Sequence, residues 1–158
     1  GYAWSKLQKL LDDYFCNPTP IHRTIKLNFN KEEIMKTAKD YLKEANEVVP
    51  KIDVNEAIEK HKSGSSIFID VRDSSDIKKT GTILNGLEIP RGLIEFVADE
   101  ATPLYNKTLK KDSEIILVCG VGGQAALTGK TLLEMGYKNV LNVGGIPEWE
   151  KNGGPMKK

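Results

Sequence analysis

Cysteine and histidine are scarce in this chain of 158 residues: Cys16, Cys119, His22 and His61 are the whole supply. Two cysteines do not build the disulfide framework of a small secreted protein, and no pairing of these four residues has the spacing of a zinc site. No metal is therefore expected. An excess of charge is missing too, since 23 Lys and Arg against 22 Asp and Glu leave a net +1, which argues against a nucleic-acid surface or a polybasic membrane patch. Any preference for an anion has to be local. No apolar run approaches the length of a membrane span and the first residues lack the layout of a signal peptide, so the chain is expected to be soluble. It begins with Gly1 rather than Met, so a targeting segment can have been removed, and cytoplasm and periplasm both stay open as compartments.

What is present is organised around Glu114 to Gly136. Ile115 to Val118 is a short apolar run without alternation, as in a buried parallel strand, and helical spacing follows at Ala126, Gly129 and Leu133, closed by Gly136. Between them lies Cys119-Gly-Val-Gly-Gly-Gln-Ala125. A loop that feeds a helix points unpaired backbone N–H groups and the positive end of the helix dipole at its mouth, a setting that suits an anion. A sulfur nucleophile works as its anion, so Cys119 stands where a reactive cysteine is wanted, although a buried and inert core cysteine is the plain alternative. Gly120, Gly122 and Gly123 allow close approach of the backbone to a bound anion or sulfur atom.

The remaining pattern alternates strands and helices. An amphipathic helix is predicted from Ala3 to Phe15 with Trp4, Leu7, Leu11 and Tyr14 on one face, then an extended arm at Ile25, Leu27 and Phe29. Asn30 and Glu33 form a capping-box pattern for a helix from about Lys31 to Val48, and Asp53 with Glu56 repeats it for a helix through Lys62. Strands are predicted at Ile67 to Val71, Leu87 to Pro90, Ile115 to Val118 and Asn139 to Val143, and Gly81 to Gly86 is read as loop. Such alternation gives an α/β fold whose parallel sheet is covered on both faces, with ligands beyond the carboxyl ends of the strands. Cys119 and Arg72 lie at such ends, and Arg91 follows another.

Taken together, Phe68-Ile-Asp-Val-Arg-Asp73, Cys119 to Lys130, Met135-Gly-Tyr137, Gly144-Gly145 with Trp149, and Gly154-Pro155 resemble a single-domain rhodanese, a sulfurtransferase family. The resemblance covers about Ile52 to Pro155. It implies a three-layer α/β/α domain with a mainly parallel sheet of four to five strands, residues 50–158, preceded by a helical extension, residues 1–49, packed on the domain or on a partner. It also implies Cys119 as the sulfur-carrying residue, with no cofactor. Pro90-Arg91-Gly92 and Ala126 to Thr131 look like the bacterial polysulfide-sulfur transferases, whose arginines hold an anionic sulfur chain; by position these are Arg72 and Arg91. The alternatives are a salt bridge of Arg72 with Asp70 or Asp73 and a solvated loop charge at Arg91.

Two loop positions depart from the family. A basic residue commonly follows the cysteine and an arginine stands five positions after it; here these are Gly120 and Gln124. The related cell-cycle phosphatases need an arginine six residues after the cysteine, where this chain has Ala125. The resemblance thus implies sulfur transfer from polysulfide, thiosulfate or a persulfide through Cys119 to a thiol, cyanide or a sulfur-accepting protein. Gly120, Val121, Gly122, Gly123, Gln124 and Ala125 form the substrate loop. A binding or sulfur-sensing module with little turnover is the competing expectation, and a homodimer built with the extension is the matching expectation for assembly.

Overall fold

The computed structural model describes residues 2–16 and 35–158, with side chains for 5–13 and 35–158. The first helix, α1, is Tyr2–Cys16, with Leu7 and Leu11 partly buried and Leu10 exposed. The side chains of Trp4 and Tyr14, the Asn17 to Pro20 break and the arm from Ile25 to Phe29 lie outside the described residues.

Helix α2, Ala38–Val48, begins later than the sequence pattern predicts. Thr37 and Asp40 close a reciprocal capping box, Asp40 N–H donating to Thr37 Oγ1 and Thr37 N–H to the Asp40 carboxylate, while Met35 and Lys36 are irregular. The Asn30 and Glu33 pattern therefore does not start this helix. Val49, just past its end, fills the space beside Gly129, where any side chain would strike its methyl groups. This close contact and the fully buried Ala45 hold α2 against the domain.

After α3, Val54–Ser63, capped by Asp53 and closed by a left-handed Gly64, the main sheet is built from β1 Ile67–Asp70, β3 Leu87–Glu88, β4 Glu114–Cys119 and β5 Asn139–Gly145. Their order is β3-β1-β4-β5 and every pairing is parallel. Between β1 and β3 come α4, Ser74–Thr80, and β2, Thr82–Ile83. Thus the Gly81 to Gly86 stretch is not all loop: Thr82 and Ile83 pair antiparallel with β6, Met156–Lys157, in a small second sheet. Two residues are too few to show a period of two.

Side chains of β4 divide the core. Ile115, Leu117 and Cys119 face a cluster with Ile94, Ala98, Ala125 and Leu132, contributed by α5, Ile94–Val97, its end, and α6, Gly123–Glu134. Ile116 and Val118 face the opposite cluster with Ala57, Ile58, Ile146 and Trp149, from α3 and α7, Ile146–Lys151. These are the three layers, α/β/α. Because the strands are parallel and covered on both faces, their carboxyl ends open at one edge, and Cys119 is the last residue of β4 there.

Candidate active site

Cys119 is free and only 2% exposed, at the end of the row of side chains that β4 sends toward α6. The chain then turns through Gly120 and Val121 into α6, whose start at Gly122 has no capping side chain. Gly122 adopts φ +101°, a left-handed conformation that a β-carbon would strain, and its N–H donates to Cys119 Sγ at 3.0 Å. The loop thereby wraps the sulfur with a backbone donor. Val121 projects outward at 93% exposure, Gln124 is exposed on the first turn of α6, and Ala125 is buried against the core.

The loop is held from behind by β5. Asn142, 4% exposed, donates from Nδ2 to the Gly122 carbonyl at 2.9 Å and accepts the Gly144 N–H on Oδ1 at 2.9 Å. A β-carbon at Gly145 would collide with the Gly120 carbonyl, so the end of β5 can lie against the loop only as glycine. Sequence reasoning missed Asn142. A polar residue inside an apolar strand was the available signal, because a buried amide has to find partners.

Both arginines that the resemblance singles out have side-chain partners of their own. Arg72 is 6% exposed, its Nε and Nη2 donating to the Asp70 carboxylate at 2.7–3.2 Å, Nη1 to Thr80 Oγ1 at 2.9 Å and Nη2 to the Gly81 carbonyl at 2.9 Å. Thr82 Oγ1 donates to the same carboxylate at 2.7 Å. The buried pair with Asp70, named above as the alternative for Arg72, is thus formed, and it ties β1 to α4 and β2. Arg91 Nη1 pairs with Glu95 at 3.1 Å and its Nη2 reaches Thr131 Oγ1 at 3.3 Å. Thr131 lies two turns into α6, roughly 12 Å along the axis from Gly123. Arg91 remains partly exposed.

A cation the sequence pattern did not flag does lie at the loop. Lys51 lines a cavity of about 380 Å³ together with Leu42 and Asn46 of α2, Ile52, Val121 and Gly122. No local motif marks Lys51, since tertiary packing of α2 and β5 brings it there. Among the described residues no group of three or more His, Cys, Asp or Glu is placed to hold a metal, and no helix is long and apolar enough to cross a membrane.

Comparison with known proteins agrees with the fold. The rhodanese-like domain family matches residues 53–152, and the chain belongs to it. A sulfurtransferase of Allochromatium vinosum is 29% identical over 91 residues, 57% of this chain and 77% of that protein. Among solved structures, a Rhodopseudomonas palustris protein of unknown function, described as a possible tyrosine phosphatase, superposes with a TM-score of 0.74 at 32% identity, covering 78% of this chain and 96% of that one. The homodimeric polysulfide-sulfur transferase of Wolinella succinogenes follows with a TM-score of 0.61 at 29% identity, over 75% and 85% of the two chains.

Proposed function

We propose that this protein is a sulfurtransferase that carries a sulfane sulfur on Cys119. The observation that supports this best is the Cys119 sulfur at the head of an uncapped α6, with the Gly122 N–H directed onto it at 3.0 Å. In the first step the Cys119 thiolate attacks the sulfane sulfur of a polysulfide, thiosulfate or persulfide. A new S–S bond forms, the bond between that sulfur and the rest of the donor breaks, and the shortened chain, sulfite or thiolate leaves with the bonding pair. In the second step a thiolate or cyanide attacks the outer sulfur of the Cys119 persulfide, and the Cys119 thiolate leaves. The amides at the head of α6 favour the negative charge that sulfur carries in both steps.

The named relatives from Allochromatium and Wolinella support this reading. The phosphatase description of the Rhodopseudomonas protein does not carry over, because the position that would hold the phosphate-clamping arginine is the buried Ala125. A neutral methyl there cannot offset the charge of a transferring phosphoryl group.

The test is brief exposure to inorganic polysulfide, intact mass spectrometry, and then addition of cyanide. Wild-type protein should gain the mass of a sulfur atom at Cys119 and lose it as thiocyanate, whereas Cys119→Ser should gain none. A persulfide that cyanide or thiols cannot discharge would instead support a sulfur-sensing or carrier module. Equal labelling of the Ser variant would refute the assignment of Cys119.

A further inference from the structure

The cavity beside the loop differs from what a small inorganic donor requires. Its volume of about 380 Å³ falls in the range of organic-ligand pockets, roughly 300–1,000 Å³. A sulfur dianion of a few atoms would leave most of it empty. The lining joins apolar surface from Leu42, Ile52 and Val121 to the amide of Asn46 and the ammonium-bearing Lys51. That combination matches a molecule with an apolar stem and one anionic end.

Lys51 is the cation placed to meet such an end. Arg72 is tied to Asp70, Arg91 to Glu95 and Lys130 to Glu134, while Lys51 forms no ion pair among the described residues. Its backbone is pinned: Lys51 bridges Asn142 in parallel register, the Ile52 N–H donates to the Asn142 carbonyl at 3.1 Å, and the Asn142 N–H donates to the Pro50 carbonyl at 2.9 Å. The residue that steadies the Cys119 loop through its side chain therefore also fixes the main chain that presents Lys51. Gly122 connects the two places, since it lines the cavity and its N–H touches Cys119 Sγ.

We propose that this cavity binds the tail of an organic persulfide ending in a carboxylate, with Lys51 pairing to the carboxylate and the alkyl stem lying on Leu42, Ile52 and Val121. The inference rests on the sulfurtransferase reading and narrows its donor. The donor R–S–SH reaches from the cavity over the Val121-Gly122 segment to Cys119. The Cys119 thiolate bonds to the outer sulfur, the S–S bond of the donor breaks, and R–S⁻ leaves with the electron pair while the tail is still held. The proton stays on the transferred sulfur, so Cys119 is left as its persulfide.

The test compares persulfides of mercaptohexanoate and mercaptohexanol, which share the stem and differ in the charge of the end. Wild-type protein should favour the carboxylate donor in kcat/KM, and Lys51→Gln should reduce that preference about fivefold, the upper range for an exposed ion pair. The loss should appear in KM, since the tail contact is made equally in ground and transition states. Leu42→Asp should weaken both donors. If Cys119 accepts sulfur from inorganic polysulfide but Lys51→Gln leaves the donor ratio unchanged, the subsite is wrong and the sulfurtransferase reading stands. If no donor charges Cys119, both fall.

Discussion

Asn142 Nδ2 holds the carbonyl of Gly122 at 2.9 Å, one peptide unit away from the N–H that Gly122 directs onto Cys119 Sγ. Asn142 is therefore a positioning residue for the loop. Asn142→Ala removes this bond and the one to the Gly144 N–H, with an expected cost of about 1–3 kcal/mol. The melting temperature should fall by about 2–4 °C per kcal/mol in a domain of this size. Sulfur uptake by Cys119 should slow more than the stability loss alone explains. A variant with wild-type transfer kinetics would show that the loop holds its form without Asn142.

Cys119→Ser is expected to abolish sulfur transfer and leave the melting temperature close to wild type. The exchange nearly preserves volume at a residue only 2% exposed, and Ser can still accept from the Gly122 N–H. Retained transfer would move the chemistry elsewhere in the molecule.

Two glycines of the site should respond in opposite ways. Gly145→Ala drives a methyl into the Gly120 carbonyl, so that backbone has to shift, and should destabilise by about 1–3 kcal/mol and lower activity. A β-carbon on Gly120 would meet no atom within 4 Å, and Gly120 has no left-handed φ, so Gly120→Lys should fold normally. Thermal melts of the two variants check the contrast.

Strand, loop and helix around Cys119 were legible because buried parallel strands are continuous apolar runs and the switch to helical spacing follows within a few residues. The helix start at Ala38 was not, since Asn30 with Glu33 and Thr37 with Asp40 are equally good capping pairs on paper. Nor could local pattern decide the fate of Arg72. Asp70 lies two residues before it, as sequence allows, but the enclosure of the pair by Thr80, Gly81 and Thr82 is a tertiary fact. Lys51 and Asn142 reach the loop in the same way, across the fold rather than along the chain.

Stability should decline on the acid side partly through Glu114, at the start of β4. The Ser66 hydroxyl hydrogen bond, followed by the bond and charge of Lys60, holds its carboxyl below its ordinary 4.5 in spite of partial burial. A carboxyl depressed by folding contributes stability that is fully present above its unfolded pKa and is lost as pH falls through the folded value. The loss therefore begins near pH 4.5 and deepens below it. Glu114→Gln should flatten the dependence of melting temperature on pH in that window, and identical curves for the two proteins would contradict the linkage.

Donor choice gives the last prediction. Gln124 is exposed on the first turn of α6, where the family commonly has an arginine, and Arg72 and Arg91 are paired with Asp70 and Glu95. Thiosulfate, with two charges packed close to the attacked sulfur, would meet backbone amides in a loop that carries no cation of its own. A longer polysulfide spreads the same charge toward its ends and suffers less. Wild-type protein should thus use polysulfide better than thiosulfate, and Gln124→Arg should raise kcat/KM for thiosulfate by about tenfold, the lower part of what a charge-assisted hydrogen bond of about 1.5–3 kcal/mol supplies, because the site is open to water. The same arginine places a cation at a helix N-terminus and should cost about 0.3–1 kcal/mol of stability. Activity and stability then move in opposite directions, which separates an electrostatic effect from a general improvement of the fold. Steady-state kinetics with both donors and thermal melts of both proteins decide it: an unchanged donor ratio would mean that loop charge does not select the donor.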